Sequence, residues 1–311
     1  MLSDSADFIP PGARERLTAP VLRLAVRLAL KPAFSPRVSI ASQRRWLRHV
    51  ARATLRTSQV DVQSGTVGDV TGEWLRPRRP SAITKASAAI LYLHGGAYCL
   101  GSPATHRAVT SHLAQAAGLP VFAADYRLAP EHPFPAALED AIAVYRSLIE
   151  MGPVAIAGDS AGGGLALATA LALAQRQAAP PAALVLFSPW VDLTLSANSA
   201  KVPKGEAMLS NAWLNACARH YLAGEDATAP LASPIHGDLR GLPPTLIQAG
   251  TDELLHGQAV KIHDALLHAG VAVGCEIVPR RWHVFQLHAG MLPSADAAIE
   301  RAGNFIARNT S

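Results

Sequence analysis

Ser160 sits in the run Gly158-Asp159-Ser160-Ala161-Gly162, between the apolar stretch 153–157 and a stretch rich in Gly, Ala and Leu. That placement predicts a sharp strand-to-helix turn, which lifts a serine hydroxyl above a sheet where another side chain can take its proton. The flanking glycines fit such a turn, because a Cβ there would crowd the neighbouring chain. Upstream, His94-Gly95-Gly96-Ala97 closes the apolar run 88–93. Bare N–H groups at the end of a strand can point at a developing negative oxygen. A nucleophile and an oxyanion site together predict acyl transfer. The serine would attack a carbonyl, and the N–H groups of Gly95, Gly96 and Ala161 would hold its oxygen.

A serine hydroxyl is a poor nucleophile near neutral pH and needs a base, usually histidine, held by a carboxylate. The chain has twelve histidines. Where such groups follow successive parallel strands, the acid comes after a strand downstream of the serine and the histidine after a later one. The apolar run 245–249 leads into Gly250-Thr251-Asp252-Glu253, and the run 271–278 into Pro279-Arg280-Arg281-Trp282-His283. Asp252 and His283 are therefore the expected acid and base, with Glu253 the rival to Asp252. Asp159 adjoins the serine and cannot reach behind an imidazole. His256, His263 and His268 share one helical stretch, His288 enters the last helix, and His94 belongs to the glycine turn. No His-Glu-x-x-His or comparable spacing occurs, so no metal is expected. Water would resolve the acyl-enzyme, with no cofactor.

Half of the 311 residues are apolar and 16% are charged, the balance of a folded globular chain. The length suits one large domain with a cap. Cys99, Cys217 and Cys275 give neither a disulfide framework nor a zinc pattern, and read as free thiols in a reducing cytoplasm. Cys99 reads as a packing residue beside the glycine turn. The apolar stretch 19–30 is interrupted by Arg23 and Arg27 and precedes no small-residue cleavage site. Neither a membrane span nor a signal peptide is expected. Residues 1–56 hold eleven Lys/Arg against three Asp/Glu, while the remainder is slightly acidic. Without a recognition motif or interleaved aromatics, these arginines do not indicate nucleic acid. A solvated helix face accounts for them; attraction to acidic lipids or anionic partners is the alternative.

The elements that must position these residues alternate along the chain. Helices are expected over 14–30 and 38–55, then two strands within 59–75. Strands follow at 88–93, 119–124, 154–157, 183–188, 245–249 and 271–278, with helices at 104–117, 135–150, 161–177, 253–269 and 294–307. This predicts an α/β fold, a mostly parallel eight-stranded sheet with helices on both faces. The segment 192–232 breaks the alternation and reads as an insertion over the carboxyl ends of the strands. With the N-terminal helices it would form a helical cap. The expected division is 1–56 as the N-terminal part of the cap and 57–311 as a catalytic domain carrying the insertion. Tyr98, Met208 and Trp213 are candidates for lining a substrate pocket.

These motifs resemble those of the hormone-sensitive-lipase-like esterases of the α/β-hydrolase superfamily, the bacterial group called family IV. His94-Gly95-Gly96-Ala97 resembles the family's His-Gly-Gly-Gly oxyanion motif. The run Asp125-Tyr126-Arg127-Leu128-Ala129-Pro130-Glu131-His132-Pro133-Phe134-Pro135-Ala136-Ala137 resembles its loop after the fourth strand. Gly158-Asp159-Ser160-Ala161-Gly162-Gly163 matches its nucleophile motif. Ser188-Pro189-Trp190-Val191-Asp192-Leu193, Asp252-Glu253-Leu254 and His283-Val284-Phe285 are weaker matches, and the likeness spans about residues 60–308. Two departures are Ala97 in place of glycine and Glu253 where a proline is common. The resemblance implies hydrolysis of short- to medium-chain carboxylic esters by an α/β-hydrolase fold whose cap shapes the pocket. It leaves lactone hydrolysis, or amidase or acyltransferase chemistry with the same triad, as alternatives. A receptor branch that has lost the histidine gives a non-catalytic ligand-binding alternative, against which His283 stands. The implied partner is a small-molecule ester, with no nucleic acid and no stable membrane insertion. By analogy a homodimer can form, and the expected compartment is the cytoplasm.

Overall fold

Strands β1 (Val60–Val67) and β2 (Val70–Pro77) form a hairpin whose two-residue turn is Gly68-Asp69. Both turn residues have positive φ, 57° and 62°, the backbone twist that suits a tight antiparallel connection. The remaining strands are β3 (Ala89–Leu93), β4 (Val121–Ala124), β5 (Val154–Asp159), β6 (Leu184–Phe187), β7 (Thr245–Gly250) and β8 (Val273–Val278). The computed structural model, which describes residues 12–80 and 87–311, joins them into one sheet in the order β1-β2-β4-β3-β5-β6-β7-β8. Only the β1–β2 and β2–β4 pairs are antiparallel; β4-β3-β5-β6-β7-β8 is parallel throughout. The expected mostly parallel eight-stranded sheet is what forms.

Central strands buried on both faces carry continuous apolar runs, here 89–93, 154–157 and 184–187. Leu91, Leu93, Ile156, Leu184 and Leu186 face one layer; Ile90, Tyr92, Ala155, Val185 and Phe187 face the other. On the first side lie α4 (Ala136–Ile149), α5 (Ala161–Gln175) and α7 (His256–His268). On the second lie α3 (Arg107–Ala117) and α8 (Pro293–Asn309). Helix α5 is buried almost all round, which its run of Gly, Ala and Leu allows. Helix α3 starts later than expected because Pro103–Thr105 forms a separate 3-10 turn, and it ends on Gly118 at φ 65°.

Three further helices complete the fold: α1 (Ala13–Leu30), α2 (Ile40–Val50) and α6 (Asn211–Leu222). The expected helix over 38–55 stops at Val50 and continues only as a 3-10 turn, Ala51–Ala53. The N-terminal helices meet the 192–232 insertion directly. Trp213 of α6 stacks on Phe34 with ring centroids 4.6 Å apart, and its Nε1 donates to buried Gln43 Oε1 at 2.8 Å. Residues 1–11 of the expected N-terminal part, and 81–86 of the loop before β3, lie outside the described residues. Among the described residues no helix is long and apolar enough to cross a membrane, and no three His, Cys, Asp or Glu side chains converge as metal ligands.

Candidate active site

Strand β5 ends at Asp159 and α5 begins at Ala161, so Ser160 takes the whole change of direction, with φ 53° and ψ −120°. Such a conformation costs a serine on the order of 1–3 kcal/mol and persists only where surrounding contacts impose it. Here Ser160 N–H donates to Phe187 O at 2.8 Å, while Ser160 O accepts from Trp190 N–H at 2.9 Å and Gly164 N–H at 3.1 Å. A Cβ on Gly158 would run into the Gly162 carbonyl, and one on Gly162 into the Leu93 carbonyl. Backbone cannot yield as a flexible side chain can, so both positions require glycine.

His283 follows β8 and is buried. The carboxylate behind its ring is that of Glu253, whose Oε1 lies 3.7 Å from His283 Nδ1. That is longer than a hydrogen bond, and each of the two atoms is otherwise without a hydrogen-bond partner. Glu253 Oε2 is fixed from elsewhere: it accepts from Ser188 Oγ at 2.8 Å and from Gly250 N–H at 3.0 Å. Ser188 Oγ in turn accepts from Val284 N–H at 3.1 Å. Burial alone would make His283 harder to protonate, but Glu253, with Glu206 and Asp159 behind it, outweighs burial and holds the imidazole above the usual histidine range.

The expected acid, Asp252, is not the carboxylate paired with His283 in this geometry. Its carboxylate is ion-paired with Arg23 Nη1 of α1 at 2.8 Å. Arg23 also donates to the Arg280 carbonyl, and its guanidinium lies 5.6 Å from the Trp282 ring centre. Asp252 therefore tethers its turn to α1, and the rival Glu253 is the carboxylate that lies beside His283 Nδ1. Sequence spacing could not separate the two, because neighbouring residues in a tight turn project in different directions.

The glycine turn holds a second correction. Gly95 N–H donates to Asp159 Oδ1 at 3.0 Å, so it is already committed. Tyr92 OH donates to the same oxygen at 2.8 Å, and His106 Nε2 lies 3.4 Å from Oδ2. Burial alone would raise the Asp159 carboxyl, but His106, Tyr92 and His94 together hold it below the usual carboxylate range. The amides after Gly95 are those of Gly96, at φ 122°, and Ala97, at φ 52°; neither has a backbone acceptor among the described residues. Ala161 N–H, in the first turn of α5, has no intrahelical partner by position. His94 is structural: burial, then repulsion from His106, drive its pKa down to about 3, and its Nδ1 bonds Gly95 O at 2.8 Å.

Ser160, His283, Gly95, Gly96 and Ala97 open into one cavity of about 70 Å³. Its walls are mostly apolar, formed by Leu30 and Phe34 from α1 and the turn after it, Leu47 of α2, and Met208, Leu209 and Trp213 from the insertion, with Thr105, His106 and Asp159 also in the lining. Met208 and Trp213, the expected lining candidates, are both among the residues around this cavity. Tyr98 is not: it is buried against Tyr221, ring centroids 3.7 Å apart, and takes no part in the lining. Two site residues had escaped the sequence reading. Ser188 heads the weakly matching Ser-Pro-Trp-Val-Asp run, which was its only signal. Glu206 had none, yet its buried carboxylate accepts from Met208, Leu209 and Leu254 N–H at 2.8, 3.0 and 2.7 Å, joining the pocket wall to the acid turn.

A family model described as alpha/beta hydrolase fold matches residues 90–287. An acetyl-hydrolase of Streptomyces hygroscopicus is 49% identical over 246 residues, covering 78% of this chain and 81% of that protein. An esterase of Acinetobacter venetianus is 35% identical over 265 residues, covering 83% of this chain and 86% of its own. Among solved structures, an esterase from the bacterial hormone-sensitive lipase family superposes with a TM-score of 0.85 at 34% identity, covering 97% of this chain and 100% of that one.

Proposed function

The chain belongs to the alpha/beta hydrolase fold family, in its hormone-sensitive-lipase-like branch, and from that premise we propose that it hydrolyses short-chain carboxylic esters through Ser160, His283 and Glu253. The observation that carries this reading is the shared pocket: Ser160 and His283 both open into one small, mostly apolar cavity, with Glu253 behind the imidazole.

In the proposed reaction Ser160 Oγ attacks the acyl carbon while its proton passes to His283 Nε2, the ring nitrogen not facing Glu253. The carbonyl oxygen becomes negative and is held by the N–H groups of Gly96, Ala97 and Ala161, Ala97 replacing the committed Gly95. Each such donor is worth about 3–4 kcal/mol of barrier. Glu253 fixes the tautomer and stabilises the imidazolium, and closure of its gap to Nδ1 would accompany that charge. His283 then gives the proton to the departing alcohol. Water attacks the acyl-serine by the reverse proton path, releasing the acid and restoring Ser160. A short acyl group is favoured because the cavity is several times smaller than the roughly 300–1,000 Å³ typical of sites for larger ligands.

The test is turnover of a p-nitrophenyl ester series from acetate to decanoate, alongside a set of lactones, by the intact chain and by Ser160→Ala. The expected result is a preference for the shortest esters and a loss of at least about a thousandfold in the variant. Retained turnover in Ser160→Ala would refute the assignment.

A further inference from the structure

A second cavity, of about 380 Å³, lies between α1 and the loop after β8 and contains neither Ser160 nor His283. Among the described residues its lining includes Arg16, Arg23, Arg27, Arg280 and Arg281 against a single carboxylate, Glu15. Arg281 pairs with Glu15, and Arg23 with Asp252 at 2.8 Å. Neither Arg27 nor Arg280 has a carboxylate partner among the described residues, and both are exposed. Burial, and repulsion from Arg23 and Arg280, keep the Arg281 guanidinium below the usual arginine range in spite of Glu15. Like charges gathered in one concavity repel and focus a positive field into it, which an incoming anion relieves. Guanidinium groups suit this, since their planar fork matches phosphate and carboxylate oxygens in pairs.

We propose that this cleft is an anion-binding site that takes a phosphate or carboxylate group among Arg23, Arg27 and Arg280. It is separate from the ester pocket, yet it adjoins the loops that carry the proposed acid and base, because Arg23 holds both Asp252 and the Arg280 carbonyl. The anion has two available sources. One is a free small anion. The other is the headgroup of an anionic lipid, because Leu17, Val21, Leu24 and Leu28 run along the same helix at 74, 68, 57 and 68% exposure.

The test is calorimetric titration of the full chain with inorganic phosphate and with citrate, sodium chloride being adjusted to hold ionic strength constant. A second arm is co-sedimentation with vesicles of phosphatidylglycerol or of phosphatidylcholine. A free-anion site gives one saturable event per chain in the titration. A headgroup site gives sedimentation with phosphatidylglycerol vesicles alone. In either case the combined Arg27→Gln and Arg280→Gln variant binds at least tenfold more weakly. Arg240→Gln, which breaks the exposed pair with Asp238, binds as the parent does. The replaced side chains of the double variant are exposed, so it should melt like the parent; Arg27→Glu alone is the second probe and should weaken binding too. Saturation in neither arm, or undiminished binding by the arginine variants, overturns the proposal. No readout uses ester turnover, so failure here leaves the proposed esterase reaction standing, and the converse also holds.

Discussion

Ser188 Oγ donates to Glu253 Oε2 at 2.8 Å, tying the carboxylate behind the imidazole to the end of β6. The same oxygen accepts from Val284 N–H, the residue after His283, at 3.1 Å. One hydroxyl thus sets the spacing between the proposed acid and the loop that carries the base. Ser188 has φ 46°, a left-handed conformation that its surroundings impose. Ser188→Ala removes both bonds without changing the size of the site much. A buried hydrogen bond to a charged group is worth about 1.5–3 kcal/mol. The expected outcome is a fall of about ten- to a hundredfold in kcat for p-nitrophenyl acetate with KM nearly unchanged, read by steady-state kinetics.

Asp252 and Glu253 make opposite predictions. Glu253→Gln keeps the shape but removes the charge that supports the imidazolium, so kcat should fall about a thousandfold or more. Asp252→Asn removes only the partly exposed pair with Arg23, an interaction worth about 0–1 kcal/mol. It should lower Tm slightly and leave kcat within about tenfold of the parent. If the two variants exchange these phenotypes, the acid is Asp252 after all.

The pair Asp252 and Glu253 also marks where the sequence stopped being legible. Strand positions were readable because β3, β5 and β6 are continuous apolar runs, and the order of nucleophile, acid and base follows from which strand each terminates. Which of two adjacent carboxylates turns inward depends on Arg23 and Ser188, both far away in the chain. The commitment of the Gly95 N–H, expected as an oxyanion donor, was hidden for a similar reason: it donates to Asp159, a neighbour of the serine in the nucleophile motif. Tyr98 neighbours the oxyanion turn but has φ 60° and turns into the Tyr221 stack. Contacts between distant segments decided all three, and periodicity carries no record of them.

The pH profile follows from the same pair. His283 is held above its ordinary value of 6.5, and its neutral form is the proposed base. kcat/KM should therefore fall as pH drops through a value higher than 6.5. In Glu253→Gln burial is opposed only by Glu206 and Asp159, and the acid limb should move to lower pH. Stability shows the reverse dependence. A pKa raised by folding stabilises fully below the unfolded value and loses that contribution as pH rises through the folded value. Thermal unfolding at several pH values should show this contribution in the parent and a flatter dependence in the variant.

The packing of the elbow gives a stability prediction. Gly162→Ala places a methyl group against the Leu93 and His94 carbonyls. Since both are backbone atoms at the end of β3, the strand or α5 must shift. Overpacking of this kind costs about 1–3 kcal/mol, and the shift would also disturb Ser160. Both Tm and turnover should fall, measured by thermal unfolding and by acetate hydrolysis on the same preparation.

Acyl-chain preference should respond to Met208. Its backbone N–H, like that of Leu209, is held by Glu206, whose other oxygen accepts from Leu254 N–H in the acid turn. The wall is thus fixed through its backbone, and the side chain can be shortened without releasing it. Met208→Ala enlarges a cavity of only about 70 Å³. Each additional methylene that becomes buried is worth about 0.8 kcal/mol, so two of them would favour a longer ester by about tenfold. The ratio of kcat/KM for hexanoate over acetate should rise by about that factor, measured with p-nitrophenyl esters. Trp213→Ala offers the contrast. It removes the stack on Phe34 and the bond to Gln43, which join α6 to the N-terminal helices. Loss of a buried aromatic costs about 3–5 kcal/mol, so its main effect should be a lower Tm, with chain-length selectivity lost only as the walls loosen. A Met208→Ala variant that keeps the parent's preference would mean that the acyl chain lies along another wall.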